Sequence, residues 1–442
     1  MRATAGVAGA TLAARSILLE PSRAWASPAR AVAPSDRVRF GIVGIGMQGS
    51  GLLTNAVALP GVECVAACDL YDGRHELARE IVGKPIPVTR RYQELLDNKE
   101  IDCLIAAVPD HWHKQVVVDA CRAGKDVYCE KPMTHAVAEG FEMIAAAQQN
   151  QRVVQIGSQA ATSIVSKKAK ELIAQGVIGD VYLVQSFMGR NDPTGAWEYP
   201  PPPDLSTENL DWDTWLGTAP KVPFNPLHFA RWRCWQAYGS GVAGDLMVHM
   251  LTAIHTILGV EAPPRSAASK GGLFRWKDGR DMPDVHSTLF EYPTFNVDMC
   301  VTLTTEFNGP ERFLGTHGIL ELRGDGIFVT KQDGEDHAPS YYTSGYPKRL
   351  REPYEKQWHQ DHTIRPGTQA TAETVSYHTP PDYDVTREHL WNFFQAVRSR
   401  QPVVEDTVFG NHTAIACHMA NASYFKKTAA VWDAGSKSIK TA

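Results

Sequence analysis

The sequence predicts an α/β protein, with a parallel sheet wound with helices first and an α+β domain with a large, mostly antiparallel open sheet after it. Three observations predict this. From Val38 onward, short apolar strand-like runs alternate with runs of helical periodicity. A glycine-rich turn, Gly44-Ile45-Gly46-Met47-Gln48-Gly49, ends the first strand and opens the first helix. Beyond about residue 180 the strands lengthen and helices no longer separate them. Strands alternating with helices pair in parallel through crossovers, whereas strands in succession favour antiparallel sheets with helices segregated from them. A chain of 442 residues also exceeds what one simple core holds and suggests two domains.

In order, the strands expected first are Val38 to Val43, Val62 to Cys68, Ile101 to Val108, Val127 to Cys129 and Val153 to Ile156. The helices between them are Gly49 to Leu59, Tyr71 to Ile81, His111 to Ala123 and Ala136 to Asn150. Later strands are Val181 to Met188, Ser287 to Phe290, Asn296 to Thr305 and Gly318 to Leu322, and a helix is expected from Asp245 to Leu258. Residues 331–382 read as a long polar stretch that covers the site or reaches a neighbouring subunit. Helices Thr386 to Ser399 and Thr407 to Lys427 close the chain. The boundaries expected are 35–158 for a dinucleotide-binding domain and 159–442 for a substrate and oligomerisation domain, with the closing helices free to pack back on the first.

Composition narrows the function. With 43% hydrophobic and 21% charged residues and a net charge of −5, the chain has no basic footprint for nucleic acid. No apolar run reaches the ~18 residues of a membrane span. The eight cysteines have no zinc-like or disulfide-framework spacing. Residues 1–34 look unlike folded protein: a weakly apolar Ala/Gly/Thr-rich start precedes Ala24-Trp25-Ala26 and an Ala/Pro/Ser linker. That pattern resembles a twin-arginine export signal lacking one arginine, so a periplasmic location is expected and a cytoplasmic one is the alternative.

The turn Gly44 to Gly49 fits G-x-G-x-x-G. Its first glycine permits the tight turn, its second lets a pyrophosphate approach, and its third lets helix and strand pack closely. Helix N–H groups then face the phosphates. Asp69 lies 20 residues beyond Gly49, at the end of the next strand, where a carboxylate accepts ribose hydroxyls. This favours NAD, with NADP left open by Arg74 nearby. The unit is therefore of Rossmann type. Glu130-Lys131-Pro132 falls at the carboxyl end of a parallel strand, where ligands bind, and a lysine there can stabilise charge developing on a substrate oxygen. Asp245 and His249 are four apart on one expected helix face, behind Gly239, Gly241 and Gly244. Such an imidazole takes a hydroxyl proton and a carboxylate can orient it, although on these residues alone a helix with one polar edge explains the pair better. Trp197, Trp212, Trp215, Trp232 and Trp235, interleaved with His228, Arg231 and Arg233, suit the apolar faces and hydroxyls of a sugar; they suit a core as well.

These motifs, with Val108-Pro109-Asp110-His111-Trp112-His113, resemble the Gfo/Idh/MocA family, the glucose–fructose oxidoreductase and inositol dehydrogenase group. The resemblance implies an NAD(P)-dependent oxidoreductase acting on a ring hydroxyl of a sugar, glycoside or cyclitol. It implies that Lys131 contacts the reacting oxygen, that His249 takes its proton with Asp245 in support, and that hydride passes to nicotinamide C4. Cofactor contacts are expected at Gly44, Gly46, Met47, Gln48, Gly49, Asp69, Pro109, Asp110, His113, Glu130 and Lys131, and substrate contacts at Arg231, Trp232 and His249. It implies a homo-oligomer and no metal; His111 and His113, one residue apart, have no third ligand nearby. Some relatives suggest the alternative of a redox-assisted glycoside hydrolase or lyase that recycles a tightly held NAD.

Overall fold

A computed structural model describes residues 15–20, 36–324, 326–332, 340–362 and 375–441. Its strands in chain order are β1 (Arg15–Leu18), β2 (Val38–Val43), β3 (Val62–Cys68), β4 (Val88–Thr89), β5 (Cys103–Ala106), β6 (Asp126–Glu130) and β7 (Val154–Gly157). Then follow β8 (Val181–Gly189), β9 (Ser266–Gly272), β10 (Val285–Glu291), β11 (Asn296–Thr302), β12 (Glu311–Gly315) and β13 (Gly318–Arg323). The last are β14 (Gly326–Lys331), β15 (Val375–His378), β16 (Ala430–Asp433) and β17 (Ser438–Thr441).

β2 to β7 form an all-parallel sheet in the order β4-β3-β2-β5-β6-β7. Their apolar runs are buried on both faces; every residue of β5 and β6 is buried. This order is the doubly wound one, and it reverses direction between β2 and β5. A crevice opens outside the carboxyl ends of the strands at such a switch point, which is where Gly44 and Val108 stand.

The second sheet has eleven strands, β1-β15-β14-β13-β12-β8-β11-β10-β9-β16-β17. Among the described residues only β1/β15 and β8/β11 pair in parallel, so the sheet is open and mostly antiparallel. Alternation along β11 buries Val297, Met299 and Val301 against the helices Ile164–Ala174, Val248–Leu258 and Thr407–Lys426. The opposite face is open to solvent at Tyr182 and Leu289.

Several elements depart from the sequence reading. Residues 15–20, expected outside the fold, carry β1: it pairs with β15, and Leu19 reaches the second domain's core. Residues 1–14 and 21–34 of that expected export segment, with Ala24-Trp25-Ala26, lie outside the described residues. The polar stretch 331–382 contains the helix Lys348–Asp361 and β15; residues 333–339 and 363–374 of it also lie outside the described residues. The helix expected from Asp245 begins instead with a π turn, Ala243–Met247, continuing as Val248–Leu258. The helix Val385–Ser399 packs back on the first sheet, where Leu390, Phe393 and Phe394 join Phe40, Ile42 and Tyr128 in one core. The helix Thr407–Lys426 bridges both domains: a Cβ at its Gly410 would stand 2.5 Å from Ile156 of β7.

Candidate active site

One cavity of about 930 Å³ runs along the switch point and out beneath the second domain. Its first half is built by the glycine turn. Gly44 has φ +88°, and a Cβ there would lie 2.4 Å from the Ala107 carbonyl oxygen. A Cβ on Gly49 would lie 2.0 Å from the Gly44 oxygen, so this glycine works from behind the wall by letting the helix Met47–Val57 start directly against the strand. Gly46, Met47 and Gln48 line the cavity at that helix N-terminus. Asp69 also lines it; its Oδ2 accepts the Ile45 N–H (2.7 Å) and its Oδ1 the Tyr71 N–H (3.0 Å). The carboxylate is thereby held at the mouth of the turn, with Arg74 3.4 Å away and stacked 4.8 Å above the Phe229 ring. A glycine cradle, exposed helix N–H groups and a fixed acid together fit a dinucleotide.

Glu130 and Lys131 stand at the end of β6. Glu130 is buried; its Oε1 accepts from Gln48 Nε2 (2.9 Å) and its Oε2 from the Lys131 N–H (3.2 Å). Burial raises its pKa. Lys131 Nζ donates to Asp245 Oδ1 (2.9 Å) and to the Asp245 carbonyl (2.7 Å), and Arg233 Nε donates to the same Oδ1 (2.9 Å). Burial alone would raise the Asp245 pKa, but the Lys131 and Arg233 charges hold it well below the usual carboxylate range. His249 lines the cavity beside them. Burial, and then the nearby Lys131 charge, lower its pKa to about 3, so the imidazole is neutral.

This geometry changes one expected pairing. Among the described residues, the hydrogen bonds of the Asp245 carboxylate go to Lys131 and Arg233, and none goes to His249. The spacing of four assumed an α-helix, and Asp245 lies in the π turn, whose extra residue shifts it around the helix axis. The acid therefore orients the lysine.

Three other expected contacts are also reassigned. Asp110 is buried behind the wall, where its Oδ2 accepts the Ser240 N–H and O–H, both at 2.9 Å. His113 sits between the Pro132 and Val108 carbonyls (2.7 and 2.9 Å), so it braces the two turns without facing the cavity. Pro109 does line it. Arg231 is turned away: it pairs with Glu198 and Asp278, and its Nε donates to the Tyr199 carbonyl. The arginine two residues on, Arg233, faces the site instead and lies 4.2 Å over the Trp232 ring, which lines the cavity as expected. Sequence reasoning named Arg233 but passed over its role, and it missed Arg190, which also lines the wall.

Of the five tryptophans between residues 197 and 235, Trp197, Trp212 and Trp215 are buried in core, Trp197 and Trp215 with an edge on the cavity. Trp212 and Trp215 stack at 4.8 Å and cluster with Tyr71, Phe229 and Tyr238. This cluster fastens residues 204–238 across the first domain. Tyr71 bridges Leu210, the Asp72 N–H donates to Asn209, and the Asp211 N–H donates to Leu70. Asp211, Thr214 and Trp215 of this strap roof the cavity on the Asp69 side.

Residues 38–158 match the Gfo/Idh/MocA family, described as an oxidoreductase family with an NAD-binding Rossmann fold. Inositol 2-dehydrogenase of Salmonella typhimurium (strain LT2) is 35% identical over 149 residues, which are 33% of this chain and 44% of that protein. Glycosyl hydrolase family 109 protein 1 of Shewanella sp. (strain ANA-3) is 28% identical over 191 residues, 40% of this chain and 41% of that protein. The chain thus matches less than half the length of these curated relatives. Aldose-aldose oxidoreductase from Caulobacter crescentus, solved with glycerol, superposes with a TM-score of 0.64 over 89% of this chain and 99% of that one; at 16% identity it supports the two-domain fold alone. Residues 38–158 fold as the NAD-binding Rossmann domain that this family model describes, and over them the chain is similar to the Gfo/Idh/MocA oxidoreductase family.

Proposed function

We propose that the protein is an NAD-dependent dehydrogenase acting on a ring hydroxyl of a sugar, glycoside or cyclitol. The observation that carries this reading is the cluster of Lys131, Asp245 and His249 in one cavity with the glycine turn. The sugar and cyclitol substrate class is borrowed from the relatives' names. When bound, the nicotinamide supplies the two-electron chemistry. Asp245 and its carbonyl engage two of the three Lys131 Nζ donors, leaving the third for the substrate oxygen. That bond stabilises negative charge growing on the oxygen as its proton departs. His249, neutral before substrate arrives, receives the proton on an imidazole nitrogen. The Trp232 ring offers an apolar face to the substrate's C–H groups.

The test is turnover by the purified protein with NAD and a panel of sugars, cyclitols and aryl glycosides. Net NADH formation is expected. Lys131→Ala and His249→Ala should each lower it at least a thousandfold while NADH still binds, followed by tryptophan fluorescence. Near-normal turnover in either variant removes that residue from the reaction. Aglycone release without net NADH would favour the second reading, redox-assisted glycoside cleavage, which the family 109 relatives motivate.

A further inference from the structure

The substrate half of the cavity carries more positive charge than its carboxylates balance. Lys131 and Arg233 share one acid, Asp245. The other arginines packed around this wall are matched: Arg231 and Arg280 both reach Glu198 and Asp278. Arg190 differs. It follows β8 directly, is half-buried, lines the cavity, and among the described residues has no carboxylate within ion-pair distance. Its backbone N–H is fixed to the Thr302 carbonyl (2.9 Å), and its stem packs under Gly195, where a Cβ would stand 2.9 Å from Arg190 Cβ. The nearest acid in sequence, Asp192, is exposed and accepts the Gly195 N–H. Glu130 is engaged on the glycine-turn side by Gln48.

We propose that Arg190 receives an oxyanion carried by the substrate, so that the preferred substrate is an acidic sugar, a carboxylate or phosphate derivative, over its neutral counterpart. This rests on the dehydrogenase reading and names its substrate class. A planar guanidinium with fixed stem and free donors binds a carboxylate or phosphate bidentately, and its partial burial strengthens the pairing. The oxidised nicotinamide ring is itself cationic, which adds to the field an anion would answer. The same field acts on the base: Arg190 is among the charges that disfavour protonated His249, so an anion on Arg190 makes His249 a better proton acceptor as the hydroxyl ionises.

The experiment compares matched sets with the NAD-loaded protein: glucose, glucuronate and glucose 6-phosphate, and galactose with galacturonate. The expected result is kcat/KM at least tenfold higher for one anionic member than for its neutral partner, the carboxylate and phosphate arms telling which oxyanion is read. Arg190→Gln should cut that ratio about 10- to 100-fold, mainly through KM, and Arg190→Lys should restore part of it. Equal turnover of acid and neutral partners, or an equal loss on both in Arg190→Gln, overturns the proposal. If no sugar in either set is oxidised, the dehydrogenase reading fails separately. Equilibrium binding of the same sets then decides the charge question: it stands if an anionic member binds at least tenfold tighter in an Arg190-dependent way, and falls otherwise.

Discussion

At the scale of single residues the site is governed by who shares a charge with whom. Asp245 is the anion between Lys131 and Arg233, all three side chains being less than a fifth exposed. Asp245→Asn leaves two nearly buried cations without a counter-charge. Breaking a buried pair in this way costs about 3–5 kcal/mol, and the lysine loses the contact that aims it. Urea unfolding should register a loss of that size together with at least a hundredfold fall in kcat/KM; a variant of wild-type stability would show that the triad is solvated. His249 gives a second expectation. With its pKa lowered to about 3 by burial and by Lys131, it is already neutral at pH 5. The pH profile of kcat/KM, measured with a substrate that does not titrate in the range, should therefore lack the usual histidine limb near pH 6.5. A limb centred there would contradict the neutral base.

At the scale of elements, the strand–turn–helix unit from β2 to Val57 does the cofactor's work, and its geometry is fixed by backbone contacts that no side chain tolerates. Gly49→Ala places a Cβ 2.0 Å from the Gly44 carbonyl, so the helix must back away and carry its N–H groups with it. NADH affinity should drop at least tenfold while far-UV circular dichroism is unchanged; unaltered affinity would mean that these N–H groups do not hold the phosphates. This unit was also the most legible part of the sequence. β2 and β3 have the bounds that their apolar runs announce, because a parallel strand buried on both faces writes its length into consecutive residues. β9, Ser-Ala-Ala-Ser-Lys-Gly-Gly, has no such signature, and its pairing comes from its neighbours β10 and β16. Within the site, the glycine turn, Asp69 and Lys131 reach the cavity from locally marked places at strand ends, whereas His249 was told from a polar helix edge only by the family resemblance. The bond between Lys131 and Asp245 spans 114 residues, and a π turn has no spacing rule to betray it. Choosing Arg231 over Arg233 failed for the same reason: two arginines on one short turn face opposite ways, and only the tertiary position of Glu198 decides which is free for the site.

At the scale of the whole molecule, folding withdraws an unusual set of histidines and carboxyls from water, and that sets a pH dependence. Burial lowers the pKa of His249 and His255 to about 3 and of His111, His286, His389 and His418 to about 4, against 6.5 for the free side chain. In unfolded chains these groups take up protons as pH falls below 6.5, while the folded chain excludes them until pH 3–4. The unfolded state then binds more protons, so stability falls with pH, by about 1.4 kcal/mol per unit for each fully engaged histidine. Buried carboxyls act with the opposite sign. Burial raises Glu311 to about 8 and Glu405 well above 4.5, so the folded chain keeps protons that the unfolded chain has lost. Their contribution is present below pH 4.5 and is lost as pH rises, for Glu311 through about 8. Near pH 6 the histidines outnumber these acids; above pH 7 the acids remain engaged, and above about pH 8 they are joined by the eight cysteines, whose thiol pKa burial raises. These sets therefore place maximum stability at about pH 7, with a steep acid flank and an alkaline one that is shallow to about pH 8 and steepens beyond it. Calorimetric melting from pH 5 to 9 should trace that asymmetric dome. Glu311→Gln should flatten the alkaline flank, and His389→Gln, which sits between the Ile156 carbonyl and Thr162 Oγ, should remove about one proton's worth of slope on the acid side. A melting temperature constant from pH 5 to 7 would mean that the buried rings are protonated in the folded chain.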